Sequence, residues 1–231
     1  MSLSVVRSKI SAEGGFTLVE IAIVLVIIGL LLGGVLKGQE MITQAKIKNL
    51  INDFNGVTVA VTSYQDRYRA LPGDDPNADT RWTTQAPAKG DGNGTVGGVY
   101  NDTTSAPNTA NGESRLFWQH LRIAGFVPGL TVAPGALQQP LNAAGGMIGV
   151  ESGVVGTNGM GFTSLIVCFS NLPEKVASAI DGQMDDAVPN TGQLRAQLQA
   201  NANPPTAPNA SGAASSYVET GVNQYLMCKN F

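Results

Sequence analysis

Glu20 is an acidic residue at the start of a long apolar segment. The residues that follow it, 21–36, carry no charged side chain. An ionised side chain in apolar membrane surroundings costs about 2.5 to 3.5 kcal/mol on insertion scales, so the Glu20 carboxylate requires a partner there. Two environments satisfy this requirement. Glu20 either lies near the lipid headgroups and is solvated, or it pairs with a positive charge.

The sequence before Glu20 indicates a source for that positive charge. A secretory signal places its apolar stretch before the cleavage site and is discarded. Here Gly15 precedes the apolar stretch, so cleavage after Gly15 would retain that stretch and create a cationic amine on Phe16. Arg7 and Lys9 lie on the leader side of this site. The positive-inside bias therefore places the N-terminus in the cytoplasm and the rest of the chain outside.

The order of these features resembles the class III signal of type IV prepilins and type II secretion pseudopilins: a short basic leader, Gly15, and then Phe16-Thr17-Leu18-Val19-Glu20. The resemblance covers residues 9–40. It implies cleavage between Gly15 and Phe16 by a membrane prepilin peptidase, N-methylation of Phe16, and polymerisation of identical or related subunits at an inner-membrane assembly platform. It also implies that Glu20 pairs with the Phe16 amine of a neighbouring subunit.

Small residues recur in and just after the apolar segment at a spacing that favours close helix packing. Gly29 and Gly33 are four residues apart, as are Gly34 and Gly38. In an apolar medium such spacing lets helix backbones approach, and packing and polar pairing drive association. The alternative is the general frequency of glycine in membrane helices. We predict that these glycines form the assembly surface together with Glu20 and the N-terminal amine.

One continuous helix is predicted over about 16–69. Residues 16–36 would be roughly 32 Å long as a helix, which spans the hydrocarbon core of a bilayer. Residues 37–70 have apolar side chains at helical intervals, which predicts an amphipathic helix that ends at the Leu71-Pro72-Gly73-Asp74 turn. A coiled coil is the alternative, but the polar face lacks a regular charge pattern. The apolar positions are Ile47, Leu50, Ile51, Phe54, Val57, Val61, Tyr64 and Tyr68.

The remaining residues, 71–231, suffice for one head domain with its own core. Charged residues are only 13% of the chain, and its 28 glycines and 12 prolines predict short strands with long loops. The predicted fold class is α+β and similar to type IV pilins: after a cleaved leader, 1–15, a long N-terminal helix packs on a head with an antiparallel sheet. Head helices are predicted at 113–124 and from Asn171-Leu172-Pro173 to Met184, and strands at 150–155, 160–169 and 217–227.

Cys168 and Cys228 both lie on the exported side of the anchor, where thiols are oxidised. Because there is no third cysteine, they are predicted to form one disulfide that bounds the C-terminal region 168–228. Residues 199–216 lie inside this region and are rich in Ala, Asn, Pro and Ser, which predicts a surface loop. A disulfide-bounded C-terminal region also resembles that of many type IV pilins.

Two groups of oxygen-bearing side chains are candidates for a calcium site. One lies in the Gly-Asp-Gly-Asn-Gly sequence at 90–94, and the other lies at the end of the helix predicted to reach Met184. Spaced oxygen ligands on turns suit a hard cation. The first group does not match an EF-hand loop, because Val96 and Asp102 stand where that pattern has Gly and Glu, and ordinary turns are the alternative. The candidates are Asp91, Asn93, Asp181, Asp185 and Asp186.

These features predict a structural subunit of a type IV pilus, serving functions such as adhesion or motility, with a type II secretion pseudopilin as the alternative. A membrane-tethered binding module or enzyme is a third class. Catalysis is not expected, because His120 is the sole histidine and no Gly-x-Ser-x-Gly elbow occurs; no cofactor is required. A net charge of -3 argues against broad electrostatic attraction to nucleic acid. The expected location is the bacterial inner membrane and then an extracellular or periplasmic filament.

Overall fold

The computed structural model describes residues 15–153, 159–199, 214 and 216–231. The predicted leader with Arg7 and Lys9, except for Gly15, lies outside the described residues. So does most of the predicted loop at 199–216. Contacts divide the chain into two compact units, Met1–Thr43 and Gln44–Phe231.

The helix α1 spans Leu18–Tyr68, close to the predicted bounds. Its apolar N-terminal part belongs to the first unit, and the large apolar side chains there are exposed, from Leu18 at 87% to Leu36 at 65%. Within the described part of the chain, α1 is the one helix long and apolar enough to cross a membrane by length and composition.

The C-terminal part of α1 contributes one face to the core of the second unit. Phe54 is fully buried, and its ring stacks on that of Phe169 with centroids 3.7 Å apart. This spacing of buried residues confirms the predicted amphipathic helix packed on a head. The buried positions of α1 are Ile47, Leu50, Phe54, Val57, Ala60, Val61 and Tyr64.

The head carries a four-stranded antiparallel sheet in the order β1-β2-β4-β3. Cys168 and Cys228 are register partners on the two central strands and form a disulfide, the pair that the sequence analysis assigned. The sheet and its helices confirm the α+β class. The strands are β1 at Ile148–Ser152, β2 at Leu165–Pro173, β3 at Leu194–Gln199 and β4 at Gln224–Asn230. The head helices are α2 at Ala78–Arg81, α3 at Glu113–Ile123 and α4 at Glu174–Met184.

The strand predicted at 160–169 was placed too early. It begins at Leu165, because Met160 has a φ of 51° in a short 3-10 turn and cannot continue a strand. Asn171 was also assigned wrongly to the start of a helix. It lies in β2 with a φ of 59°, at an irregularity in the pairing with β4, and its side chain accepts a hydrogen bond from Gln199 Nε2 at 2.6 Å.

The last predicted strand, 217–227, also begins later than expected, at Gln224. Residues before it are held by side-chain contacts instead: the Thr220 and Gly221 backbone N–H groups donate to the Glu174 carboxylate at the start of α4. The edge strand β3 was missed, since its sequence Leu-Arg-Ala-Gln-Leu-Gln carries several polar residues. The predicted strand at 150–155 corresponds to β1, and residues 154–158 lie outside the described part.

Candidate functional site

Glu20 caps the helix in which it lies. Its Oε2 accepts hydrogen bonds from the Thr17 backbone N–H and hydroxyl, both at 2.8 Å. In return the Glu20 N–H donates to Thr17 Oγ1 at 3.3 Å. This reciprocal pair is a capping box with Thr17 as the N-cap of α1. The sequence analysis missed it, although the Thr-x-x-Glu spacing is its signal.

No ion pair within the described residues involves Glu20. The three that occur there are Lys37–Glu40, Arg81–Asp75 and Lys89–Asp79. Phe16 lies beside this cap with 84% of its surface exposed. The first turn of α1 therefore presents a carboxylate that is bonded only to its own helix terminus, next to the residue that cleavage would turn into a cationic amine.

The glycines of the apolar segment leave open space beside α1. All four lie inside the helix, and a methyl group built on any of them would meet no atom within 4 Å other than its chain neighbours and the adjacent backbone of the helix itself. Small residues on an uncovered helix face allow close approach by a partner helix. The residues concerned are Gly29, Gly33, Gly34 and Gly38.

Comparison with known families decides the nature of this segment. Residues 10–36 match the family model of the prokaryotic N-terminal methylation motif. The chain carries the class III signal of type IV pilins and pseudopilins. That signal implies processing by prepilin peptidase and pilin-type polymerisation in general terms. No curated protein and no solved structure matches the chain.

In the head, Asp74 anchors the glycine-rich sequence that was considered for calcium. Asp74 is 3% exposed; its Oδ1 accepts from the backbone N–H groups of Gly92 at 2.6 Å and Asn93 at 3.0 Å, and its Oδ2 accepts from Gly94 at 2.7 Å. Burial raises the pKa of Asp74, and these three N–H groups oppose that rise. Asp74 therefore fixes the backbone of the loop at 92–94.

A second buried carboxylate, Glu113 at the start of α3, holds the same loop. Its Oε1 accepts from the Asp91 N–H at 3.0 Å, and its Oε2 accepts from the Gly97 N–H at 2.8 Å. Asp91 itself accepts from the backbone and side chain of Asn93. Although the carboxylates of Asp74, Asp91 and Glu113 lie within 4.8 Å of one another, their oxygens are engaged by N–H donors. This favours a loop anchor over a cation site here.

Replacing Asp74 with asparagine is expected to lower the free energy of unfolding by about 2 kcal/mol, because an amide NH2 group would face the Gly94 N–H and the charge-assisted hydrogen bond to the buried Asp74 oxygen would be lost. Urea denaturation of the processed chain in detergent measures this change. The matched control is Asp66→Asn at an exposed position of α1, which should stay within about 0.5 kcal/mol of the unsubstituted protein. Equal stability of the two variants would contradict the anchoring role.

The predicted aspartates at the end of α4 form a separate cluster. Asp181, Asp185 and Asp186 each bring a carboxylate oxygen within 4.8 Å of the others. Asp181 is fully buried, Asp185 is half-buried and Asp186 is exposed. Burial raises the pKa of Asp181, and the neighbouring Asp186 and Asp185 carboxylates raise it further, whereas the hydrogen bond from Tyr217 lowers it. The structure does not bring Asp91 or Asn93 into this cluster.

The His120 side chain forms hydrogen bonds with two backbone segments. It is fully buried; its Nδ1 accepts from the Gly73 N–H at 3.0 Å, and its Nε2 lies 3.0 Å from the Ala88 carbonyl oxygen. With Nδ1 accepting, the proton of the neutral ring lies on Nε2 and is donated to Ala88. Burial lowers the pKa of His120, which favours this neutral form.

Proposed function

We propose that the mature chain is a structural subunit of a type IV pilus, polymerising through the apolar part of α1 after cleavage between Gly15 and Phe16. The observation that carries this proposal is the continuity of the methylation motif, residues 10–36, with a helix whose apolar side chains are exposed in the single chain. Large exposed apolar surfaces mark sites that are covered by a membrane or by other proteins.

The apolar part of α1 must be covered both before and after assembly. Before assembly a bilayer covers the helix, and in the filament the same helices of neighbouring subunits cover it. Because both surroundings are apolar, the transfer itself supplies little hydrophobic free energy, and association depends on close packing and polar pairing. The uncovered glycines of α1 and the carboxylate of Glu20 provide these two terms.

Mass spectrometry of sheared surface material from cells that make the chain with a prepilin peptidase tests the proposal. We expect fibres whose subunits begin with N-methylated Phe16 and retain α1. Release of a head that lacks the apolar segment as a free monomer would contradict polymerisation. Processed fibres that remain in the periplasm and support protein export would instead assign the chain to the type II secretion pseudopilins.

A further inference from the structure

We propose that Asn93, on the loop that Asp74 anchors, is the acceptor of an N-linked glycan that is added after the head has been exported. The sequence Asn93-Gly94-Thr95 is an Asn-x-Thr acceptor motif whose middle residue is not proline. Asp91 stands two residues before Asn93 and completes the longer Asp-x-Asn-x-Thr form that bacterial enzymes of this kind use. The site requires an exported head, as the proposed function does, but it does not require polymerisation.

The acceptor motif lies on the surface of the head. Asp91, Asn93 and Thr95 are all exposed. A Cβ built on Gly94 would meet no atom within 4 Å apart from its chain neighbours. N-linked glycans are bulky and occupy surface positions of exported proteins. The described residues therefore leave room for a glycan on Asn93.

The backbone turns so that the threonine of the motif contacts the asparagine side chain. Gly94 has a φ of 86°, a left-handed conformation that glycine adopts without strain. Thr95 is thereby brought back to Asn93, whose Oδ1 accepts from the Thr95 N–H at 2.8 Å and from the Thr95 hydroxyl at 2.6 Å. The result is an Asx-turn that also engages the hydroxyl group required by the acceptor motif.

Asp91 contacts the nitrogen that would receive the sugar. Its Oδ1 accepts from the Asn93 backbone N–H at 3.0 Å, and its Oδ2 accepts from Asn93 Nδ2 at 2.9 Å. The side-chain amide is thus oriented at both ends, by Thr95 at Oδ1 and by Asp91 at Nδ2. Donation to Oδ1 draws electron density from the amide and makes its N–H groups more acidic. This favours the loss of a proton from Nδ2 that glycosylation requires.

The backbone of the motif is fixed independently of the Asn93 side chain. Asp74 accepts from the backbone N–H groups of Gly92, Asn93 and Gly94. Because this anchor uses only main-chain groups of the loop, the side chain of Asn93 can be substituted or glycosylated without loss of these hydrogen bonds. Variants of the motif are therefore expected to keep the folded head.

The reaction is a glycosyl transfer by a membrane oligosaccharyltransferase, with an oligosaccharide on a polyprenyl diphosphate as the donor. Asn93 Nδ2 forms a bond to the anomeric carbon of the first sugar. The bond from that carbon to the phosphate oxygen breaks, and the lipid diphosphate leaves with the electron pair. One proton of Nδ2 passes to a base of the transferase, so the step needs no oxidant or reductant.

Two other Asn-x-Ser/Thr sequences in the chain differ from this site. The sequence at 101–103 has Val99 in place of the acidic residue, and Asn101 is half-buried. The sequence at 209–211 also lacks an acidic residue at that position, and it lies outside the described residues. We therefore expect Asn93 to be the preferred acceptor.

Mass spectrometry of the full chain, made in a bacterial strain with an N-oligosaccharyltransferase and its lipid-linked oligosaccharide, tests the inference. Trypsin cuts after Lys89 and Arg115, so Asn93 and Asn101 lie on one peptide, and fragment ions assign the glycan to one of them. We expect the glycan on Asn93. A reporter protein with the same motif, made in the same cells, shows that the enzyme is active. A peptide without glycan, or with glycan only on Asn101, would overturn the proposal.

Substitutions in the motif separate its parts. Thr95→Val keeps the shape of the side chain but lacks the hydroxyl and should lose the glycan, whereas Thr95→Ser should keep it. Asp91→Asn keeps an acceptor for Nδ2 but removes the charge, and should lower the rate of glycosylation about tenfold. Asn101→Gln is the matched control and should leave glycosylation unchanged. Equal glycosylation of Thr95→Val and Thr95→Ser would refute the site.

The outcome for the glycan is separate from the outcome for the proposed function. Glycosylation is measured on the processed chain, whether or not fibres form. Fibres built from unmodified subunits would refute the glycan alone. A glycan on Asn93 of a chain that forms no fibres would refute polymerisation alone.

Discussion

A Glu20→Val chain is expected to enter the membrane and to be cleaved after Gly15, but not to join filaments. The substitution leaves the residues at the cleavage site unchanged and makes the apolar segment more uniformly apolar, so insertion should not suffer. What it removes is the carboxylate available to a neighbouring subunit. A tenfold loss of assembly corresponds to only about 1.4 kcal/mol. Removing one partner of a charge pair in apolar surroundings leaves the other charge, here the Phe16 amine, unpaired at a cost of about 3 to 5 kcal/mol, so we expect at least a tenfold reduction in sheared filaments.

Loss of the capping box is a competing explanation for an assembly defect in Glu20→Val, and a second variant distinguishes the two explanations. Among the described residues Glu20 bonds only to Thr17, so loss of the carboxylate also weakens the start of α1, by about 1 kcal/mol. Thr17→Val removes the hydroxyl that exchanges hydrogen bonds with Glu20 but keeps the carboxylate. If pairing between subunits is the main role, Thr17→Val should still assemble. Equal defects in both variants would assign Glu20 to helix capping.

Glu40→Val is the matched control for charge removal on the same helix. Glu40 is exposed and pairs with Lys37 at 2.8 Å, beyond the uncharged segment. Such an exposed pair contributes little, so the variant should be processed and assembled normally. Filament yield in the sheared fraction, with the processed fraction measured by mass spectrometry, compares all three variants. Normal assembly of Glu20→Val would refute the pairing role.

The N-terminal helix α1 was predictable because its signals are local. The apolar run, the helical spacing from Ile47 to Tyr64 and the Pro72 turn fixed α1 to within two residues at its start and one at its end. The disulfide was also accessible, since two cysteines allow one pairing. The capping role of Glu20 was equally local, since Thr17 and Glu20 have the Thr-x-x-Glu spacing of a capping box.

The head was less predictable, since its strands and buried acids depend on distant contacts. Asparagine is common at the N-terminal cap of helices, which is why Asn171 was assigned to one. Its backbone and side chain instead form hydrogen bonds with the Gln199 side chain, and Asn171 lies in β2. The composition around Asp91 suggests ligands for a cation. The structure gives the glycines of this region another role, because the backbone N–H groups of glycines donate to the buried carboxylates of Asp74 and Glu113. No sequence periodicity indicates which acids become buried.

Glu151 is the clearest case of a buried acid that the sequence did not reveal. It lies on β1 with 1% of its surface exposed, and its Oε2 accepts from the Tyr100 N–H at 2.9 Å. Its Oε1 has no hydrogen-bond partner within the described residues, and no ion pair there includes Glu151. Burial raises its pKa from 4.5 to about 7, against the smaller opposing effect of the Tyr100 N–H.

This shift makes the free energy of unfolding depend on pH. Between about 4.5 and 7 the folded state retains a proton on Glu151 that the unfolded state has lost, so stability falls as pH rises through this window and is level above it. The full change is about 3 kcal/mol, at roughly 1.4 kcal/mol per pKa unit. His120 acts in the opposite direction, because its lowered pKa reduces stability as pH falls through its ordinary value of 6.5.

Glu151→Gln is therefore expected to stabilise the head at pH 8 by up to about 3 kcal/mol and to match the unsubstituted protein near pH 4. The glutamine carbonyl can still accept from the Tyr100 N–H, and the variant no longer buries a charge. Urea denaturation of the processed chain in detergent at several pH values measures the difference between the two proteins, in which the His120 contribution cancels. A difference that does not change with pH, or a variant that is less stable at pH 8, would show that the Glu151 carboxylate is compensated in the folded state.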